Sequence, residues 1–117
     1  MRNDKENVIV KLTLDFALEV IVYVEMLEVQ KKYIIARQLL KSGTSIGANV
    51  REAQNAESKA DFIHKMKIAA KEADESEYWL TLCELSLNYP NPIGLKEKLL
   101  SINNILSKII STSRSSN

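Results

Sequence analysis

Apolar residues recur along most of this chain at alternating steps of four and three, the repeat of a helical seam. The longest run is Phe62, Met66, Ala69, Ala73, Ser76, Leu80, Cys83 and Leu87. A second run is Leu39, Gly43, Ile46, Val50 and Ala53, and a third is Leu95, Leu99, Ile102, Leu106 and Ile109. The earliest is Phe16, Val20, Tyr23 and Leu27. In front of it, Val8, Val10, Leu12 and Leu14 alternate like a strand. That alternation stops at Phe16 and no partner strand follows, so the spacing predicts a helix there too.

The breaks between these runs differ in clarity. Pro90, Pro92 and Gly94 cannot continue a helix, so they separate the last two runs. Ser58 followed by Asp61 resembles a capping box, with the Ser oxygen accepting an orphan N–H and the acid favouring the positive helix end. No Gly or Pro lies between Met1 and Ser42, so the first joint is placed near 30–33 from a switch in charge. The expectation is one all-α domain over 1–110, an antiparallel up-and-down four-helix bundle. Its helices span roughly 5–29, 33–56, 59–88 and 94–110. Residues 111–117, rich in Ser and Thr, are expected to be a flexible tail.

Composition agrees with this reading. With 117 residues, 3 Gly and 2 Pro, the chain has too few turn residues for a many-stranded β protein. The one cysteine, Cys83, rules out an internal disulfide and suits a reducing, cytoplasmic setting. The N-terminus has no apolar signal segment, and the apolar stretch 16–24 is too short to span a membrane. Net charge is +1, but it is segmented. Residues 1–30 carry three basic and six acidic side chains, 31–57 five and two, 58–89 four and six, and 90–117 four and one. In an antiparallel bundle such alternation sets opposite charges on neighbouring helices.

Four constellations bear on function. Gly43, Gly47 and Ala48 are expected to meet Ala69, Ala73 and Ser76, giving either close helix packing or a cleft beside the glycines. Ser45, Asn49 and Glu52 share one helical face and, with Glu72 and Glu75, form a polar seam. That seam reads as a satisfied hydrogen-bond network fixing register, or as a ligand or metal site. Ile68, Trp79 and Leu82 form a second apolar strip, expected at an oligomer interface, with packing against the fourth helix as the alternative. Lys31, Lys32, Arg37, Lys41 and Arg51 form a basic cluster, either a solvated face or a polyanion-binding surface whose field would add up in a ring of subunits.

Catalytic motifs are missing. His64, with Asp61 before it, lacks the second half of a di-iron Glu-x-x-His arrangement. Cys83 lies 19 residues from His64 on the same helix, about 28 Å away at 1.5 Å per residue. No phosphate loop or nucleophile elbow occurs. No metal, cofactor or catalytic residue is expected.

The stretch SGTSIGANVREAQNAESKADFIHKMKIAAKEADESEYWL, residues 42–80, resembles the four-helix-bundle family encoded in intervening sequences of bacterial 23S ribosomal RNA genes. The likeness is strongest over Ser42–Ala53 and Ser58–Leu80, where Ser45, Asn49, Arg51, Glu52, Glu75 and Glu77 match the family's string. The resemblance implies a cytoplasmic bacterial bundle, commonly a homopentamer, with no established enzyme activity. A remotely similar bundle serves diversity-generating retroelements and binds nucleic acid and reverse transcriptase on a basic ring surface. This chain differs from it in its near-neutral charge and acidic first helix. The function expected is a non-enzymatic, self-assembling binding scaffold for RNA or DNA backbone. The alternatives are an adaptor with a protein partner and no nucleic acid, or a ligand- or metal-dependent enzyme.

Overall fold

The computed structural model describes residues 4–115, with side chains from Val8 onward. Four helices follow one another: α1 (Asp4–Val29), α2 (Tyr33–Ala53), α3 (Lys59–Leu85) and α4 (Ile93–Ser115). α2 packs on α1 and α3, and α4 closes the bundle against α3 and α1. The result is a rod of 50 × 20 × 19 Å. Among the described residues there is no strand, and no helix is long and apolar enough to cross a membrane.

Every seam position predicted for α1, α2 and α4 is buried. Ile9 and Thr13 extend the α1 seam toward its start, so the same steps of four and three continue through the strand-like stretch. Thr13 is tolerated there because its Oγ1 donates to the Ile9 carbonyl at 2.8 Å. Ser42 and Ser76 meet across α2 and α3, Ser76 Oγ donating to Ser42 Oγ at 2.8 Å, so this buried polar pair is satisfied in place.

The turns explain where the sequence expectation shifts. α1 ends in a Schellman motif: Lys32 N–H donates to the Leu27 carbonyl at 2.9 Å and Lys31 N–H to Glu28 at 2.8 Å. The left-handed residue is Lys31 (φ 63), where glycine is usual, so the sequence carried no visible stop signal. A non-glycine residue there costs about 1–2 kcal/mol. α2 ends at Ala53 rather than 56, because residues 54–56 tighten into i→i−3 bonds before Ser58 caps α3. Ser58 Oγ accepts from Asp61 N–H at 3.0 Å, and Asp61 accepts from Glu57 N–H at 3.2 Å, completing the cap.

α3 stops at Leu85, three residues short of expectation. Ser86 is extended and Asn88 takes a left-handed φ of 65°, which leaves Leu87 outside the seam and 88 % exposed. The chain then folds back over the bundle end, where Tyr23 Oη donates to the Pro90 carbonyl at 2.6 Å. The expected flexible tail is a helix as far as Ser115. Ser115 Oγ donates to the Ser111 and Thr112 carbonyls, and Arg114 lies at the negative helix end. Residues 1–3 and 116–117 lie outside the described residues.

Oppositely charged neighbours do meet, through Lys98–Glu19 between α4 and α1 and Lys96–Glu84 at 2.6 Å between α4 and α3. Lys65–Glu52 at 3.0 Å links α3 and α2 against the segment charges, with the net-acidic segment giving the lysine. Pairs this exposed are worth about 0–1 kcal/mol each and bias neighbour choice more than stability.

Candidate functional site

α1 carries apolar side chains on its outer side as well as on the side that faces the core. Leu14, Leu18, Val22 and Met26 follow one another at steps of four on its outer side, joined by Ile21 and Val29. Leu18 is 55 %, Val22 59 % and Val29 84 % exposed. From Leu14 to Val29 the face runs about 22 Å at 1.5 Å per residue. One charge, Glu25, interrupts it, and the Lys11–Asp15 pair lies at its N-terminal end.

The strip read from sequence as an interface lies elsewhere. Ile68, Trp79 and Leu82 are each half-buried within the single chain, and Trp79 packs against the core beside the start of α2. The outer face of α1 escaped the sequence reading because a second apolar strip was assigned to α3 alone. The available signal was that outer positions of α1 are Leu, Ile and Val, whereas those of α3 are Lys67, Lys71, Asp74 and Tyr78.

The basic residues divide into two groups. Arg37 and Lys41 stand exposed one turn apart on the outer face of α2, and Arg51 follows 14 residues on from Arg37, about 21 Å along the helix. Among the described residues these three and Lys31 form no ion pair. Lys31 and Lys32 belong to the turn before α2, where Lys32 Nζ sits 4.4 Å above the Tyr89 ring.

The glycines face α1, not α3. A Cβ on Gly43 would lie 3.0 Å from both methyls of Val20, and one on Gly47 3.3 Å from the Thr13 carbonyl oxygen. Ala48 is exposed. Periodicity assigned the correct side of α2 to the interior but could not say which neighbour it met. A groove of about 210 Å³ does open beside Gly47, walled by Val10, Leu14 and Ala17 of α1 and by Thr44 and Arg51 of α2.

The polar-seam residues are not gathered into one network. Ser45 Oγ donates to the Lys41 carbonyl at 2.6 Å and Asn49 Nδ2 to the Ser45 carbonyl at 2.9 Å, both within α2. Glu52 reaches Lys65, Glu75 accepts from Trp79 Nε1 at 3.4 Å, and Glu72 is half-buried on α3. Among the described residues no cluster of three His, Cys, Asp or Glu side chains could hold a metal. His64 is exposed and Cys83 is buried. Burial pushes the Cys83 thiol above its ordinary pKa, against a smaller opposing effect of the neighbouring Tyr23 hydroxyl, so the sulfur stays protonated at neutral pH.

The profile of the 23S rRNA-intervening sequence protein family matches residues 5–111. Among solved structures, a protein of unknown function from the S23 ribosomal protein family of Bacteroides thetaiotaomicron is 41 % identical. It aligns over 92 % of this chain and 98 % of its own with a TM-score of 0.85. No curated protein matches. With the four-helix architecture and a profile match over nearly its whole length, the chain belongs to the 23S rRNA-intervening sequence protein family.

Proposed function

We propose that this chain is a non-enzymatic cytoplasmic scaffold. Copies join through the outer face of α1, and the assembly binds nucleic-acid backbone on the basic face of α2. The observation that carries the reading is the run of exposed Leu, Ile, Val and Met on α1, interrupted by Glu25 alone. A contiguous apolar face of this kind marks an interaction surface. Association of copies repeats Arg37, Lys41 and Arg51 around the assembly, so a near-neutral chain acquires a locally strong positive field. Such contacts reach phosphate and are tolerant of sequence. The resemblance to pentameric bundles supports an assembly of that size.

The test is solution mass at two salt concentrations, with and without a structured RNA. A multiple of 13.2 kDa that takes up RNA at low salt and releases it at high salt supports the reading. A monomer indifferent to RNA overturns it. An adaptor that binds only protein is the second reading. It is favoured by the near-neutral net charge, and a stable assembly that ignores RNA at every salt concentration would select it.

A further inference from the structure

At the end of the bundle where the α3–α4 loop folds back, the structure gathers residues that the sequence kept apart. Trp79 from α3, Tyr89 from the loop, Lys31 and Lys32 from the turn before α2, and Ile35 and Gln38 from its start line a groove of about 490 Å³. We propose that this groove receives one unstacked base of a single-stranded nucleic acid, stacked on Trp79, with the adjoining phosphate held by Lys31. The inference rests on the nucleic-acid reading above and names its substrate class.

Three features point to a nucleotide. The first is the combination of walls: two aromatic rings and an aliphatic side chain offer an apolar slot, and the charged rim is cationic. A flat apolar group carrying an anion complements both. The second is the fixing of the rings. Trp79 is held by Glu75 at its indole nitrogen and by an edge contact from Tyr78 at 5.3 Å and 65°. Lys32 is already engaged over Tyr89, which leaves Lys31 as the cation free among the described residues to meet phosphate. The uncapped first turn of α2, with no acid in it, adds the positive end of a helix at the same rim. The third is Gln38, whose amide both donates and accepts and so can satisfy a base edge. Bases within a duplex are already stacked, so the groove selects single strands.

Lys31 itself fits this role. It occupies a left-handed position that glycine would fill more cheaply, and strain of this kind collects where a side chain is needed. The Lys31→Gly variant therefore keeps the turn and removes the cation.

Trp79 is the chain's single tryptophan, so its emission reports on this groove alone. Short oligoadenylate carrying a fluorescein label is titrated into the full-length protein at low salt. Anisotropy reads total binding while indole emission reads the groove, and a duplex RNA of equal length serves as comparison. The expected result is saturable quenching by the single strand and none by the duplex. Trp79→Leu weakens single-strand binding by about tenfold, the scale of one lost base–aromatic stack. Lys31→Gly, whose fold is not at risk, also weakens it and lowers its salt dependence. Binding by anisotropy with unchanged emission and unchanged affinity in both variants overturns this groove and leaves the backbone-binding reading standing. No binding of either RNA overturns both. Emission that shifts with protein concentration alone, and not with oligonucleotide, shows the groove filled by a second copy and overturns the proposal.

Discussion

Replacing Gly43 with alanine tests the packing of α1 on α2, because the sign of its effect depends on a single neighbour. The added Cβ would stand 3.0 Å from each Val20 methyl and 3.4 Å from the Val20 Cβ. Comfortable carbon–carbon separations are about 3.5–4.0 Å. Val20 is fully buried and β-branched, so its side chain has one favoured rotamer and no room to swing away. The helices must part, which loosens the close approach of α2 to α1 one turn further on, where a Cβ on Gly47 would stand 3.3 Å from the Thr13 carbonyl oxygen. Overpacking of this kind costs about 1–3 kcal/mol. The gain in helix propensity from Gly to Ala returns about 1 kcal/mol. The net expectation is destabilisation by about 1 kcal/mol. In a Val20→Ala background the obstructing methyls are gone and the new Cβ enters the space they leave. There the same substitution stabilises by about 1 kcal/mol from propensity, with some further gain from refilled cavity. The coupling between the two sites is then about 2 kcal/mol, well above what independent sites show. Urea unfolding of the four proteins at one fixed protein concentration reads it, since self-association of the kind proposed above would make stability depend on concentration. An effect of equal sign and size in both backgrounds would refute the α1–α2 placement of the glycines.

Other expectations follow from the same geometry. Lys31→Gly relieves a left-handed lysine and raises stability by about 1 kcal/mol in the same urea assay. Tyr23 and Cys83 meet at the buried bundle end, where burial first, and then their mutual interaction, raises the Tyr23 hydroxyl far above its usual range. Because burial also raises Cys83, the unfolded chain releases protons from both groups before the folded one does, so stability is full at neutral pH and falls as pH rises above about 9. Tyr23→Phe with Cys83→Ala flattens that alkaline limb of a pH–stability curve; an unchanged limb would assign it to other groups. Replacing Arg37 and Lys41 with Glu lowers affinity for structured RNA and shallows its salt dependence, read by anisotropy across a salt series. Equal binding by this variant removes the outer face of α2 from the account.

How much was legible in the sequence follows from what periodicity encodes. Steps of four and three identify which side of a helix turns inward, and the seams of α1, α2 and α4 were readable for that reason. They do not say which neighbour a side chain meets, so Gly43 and Gly47 were paired with α3 when they lie against α1. The joint before α2 was nearly silent because a lysine occupies the left-handed position that glycine usually marks. Leu87 continued the α3 pattern by residue type, but the backbone had already left the helix at Ser86. Among candidate site residues, Arg37 and Lys41 are exposed and share a face, as their spacing implies. The aromatic groove could not be read, because Trp79, Tyr89 and Lys31 come from three segments that only the tertiary fold unites.

Assembly through the outer face of α1 is tested by the solution mass of the protein beside that of a Leu18→Glu, Val22→Glu double variant. Both side chains are more than half exposed, so the variant should keep the wild-type helical signal in circular dichroism. The expected masses are several times 13.2 kDa for the wild type and 13.2 kDa for a folded variant. A wild type already monomeric at working concentration, or a variant that keeps the full assembled mass, would contradict it.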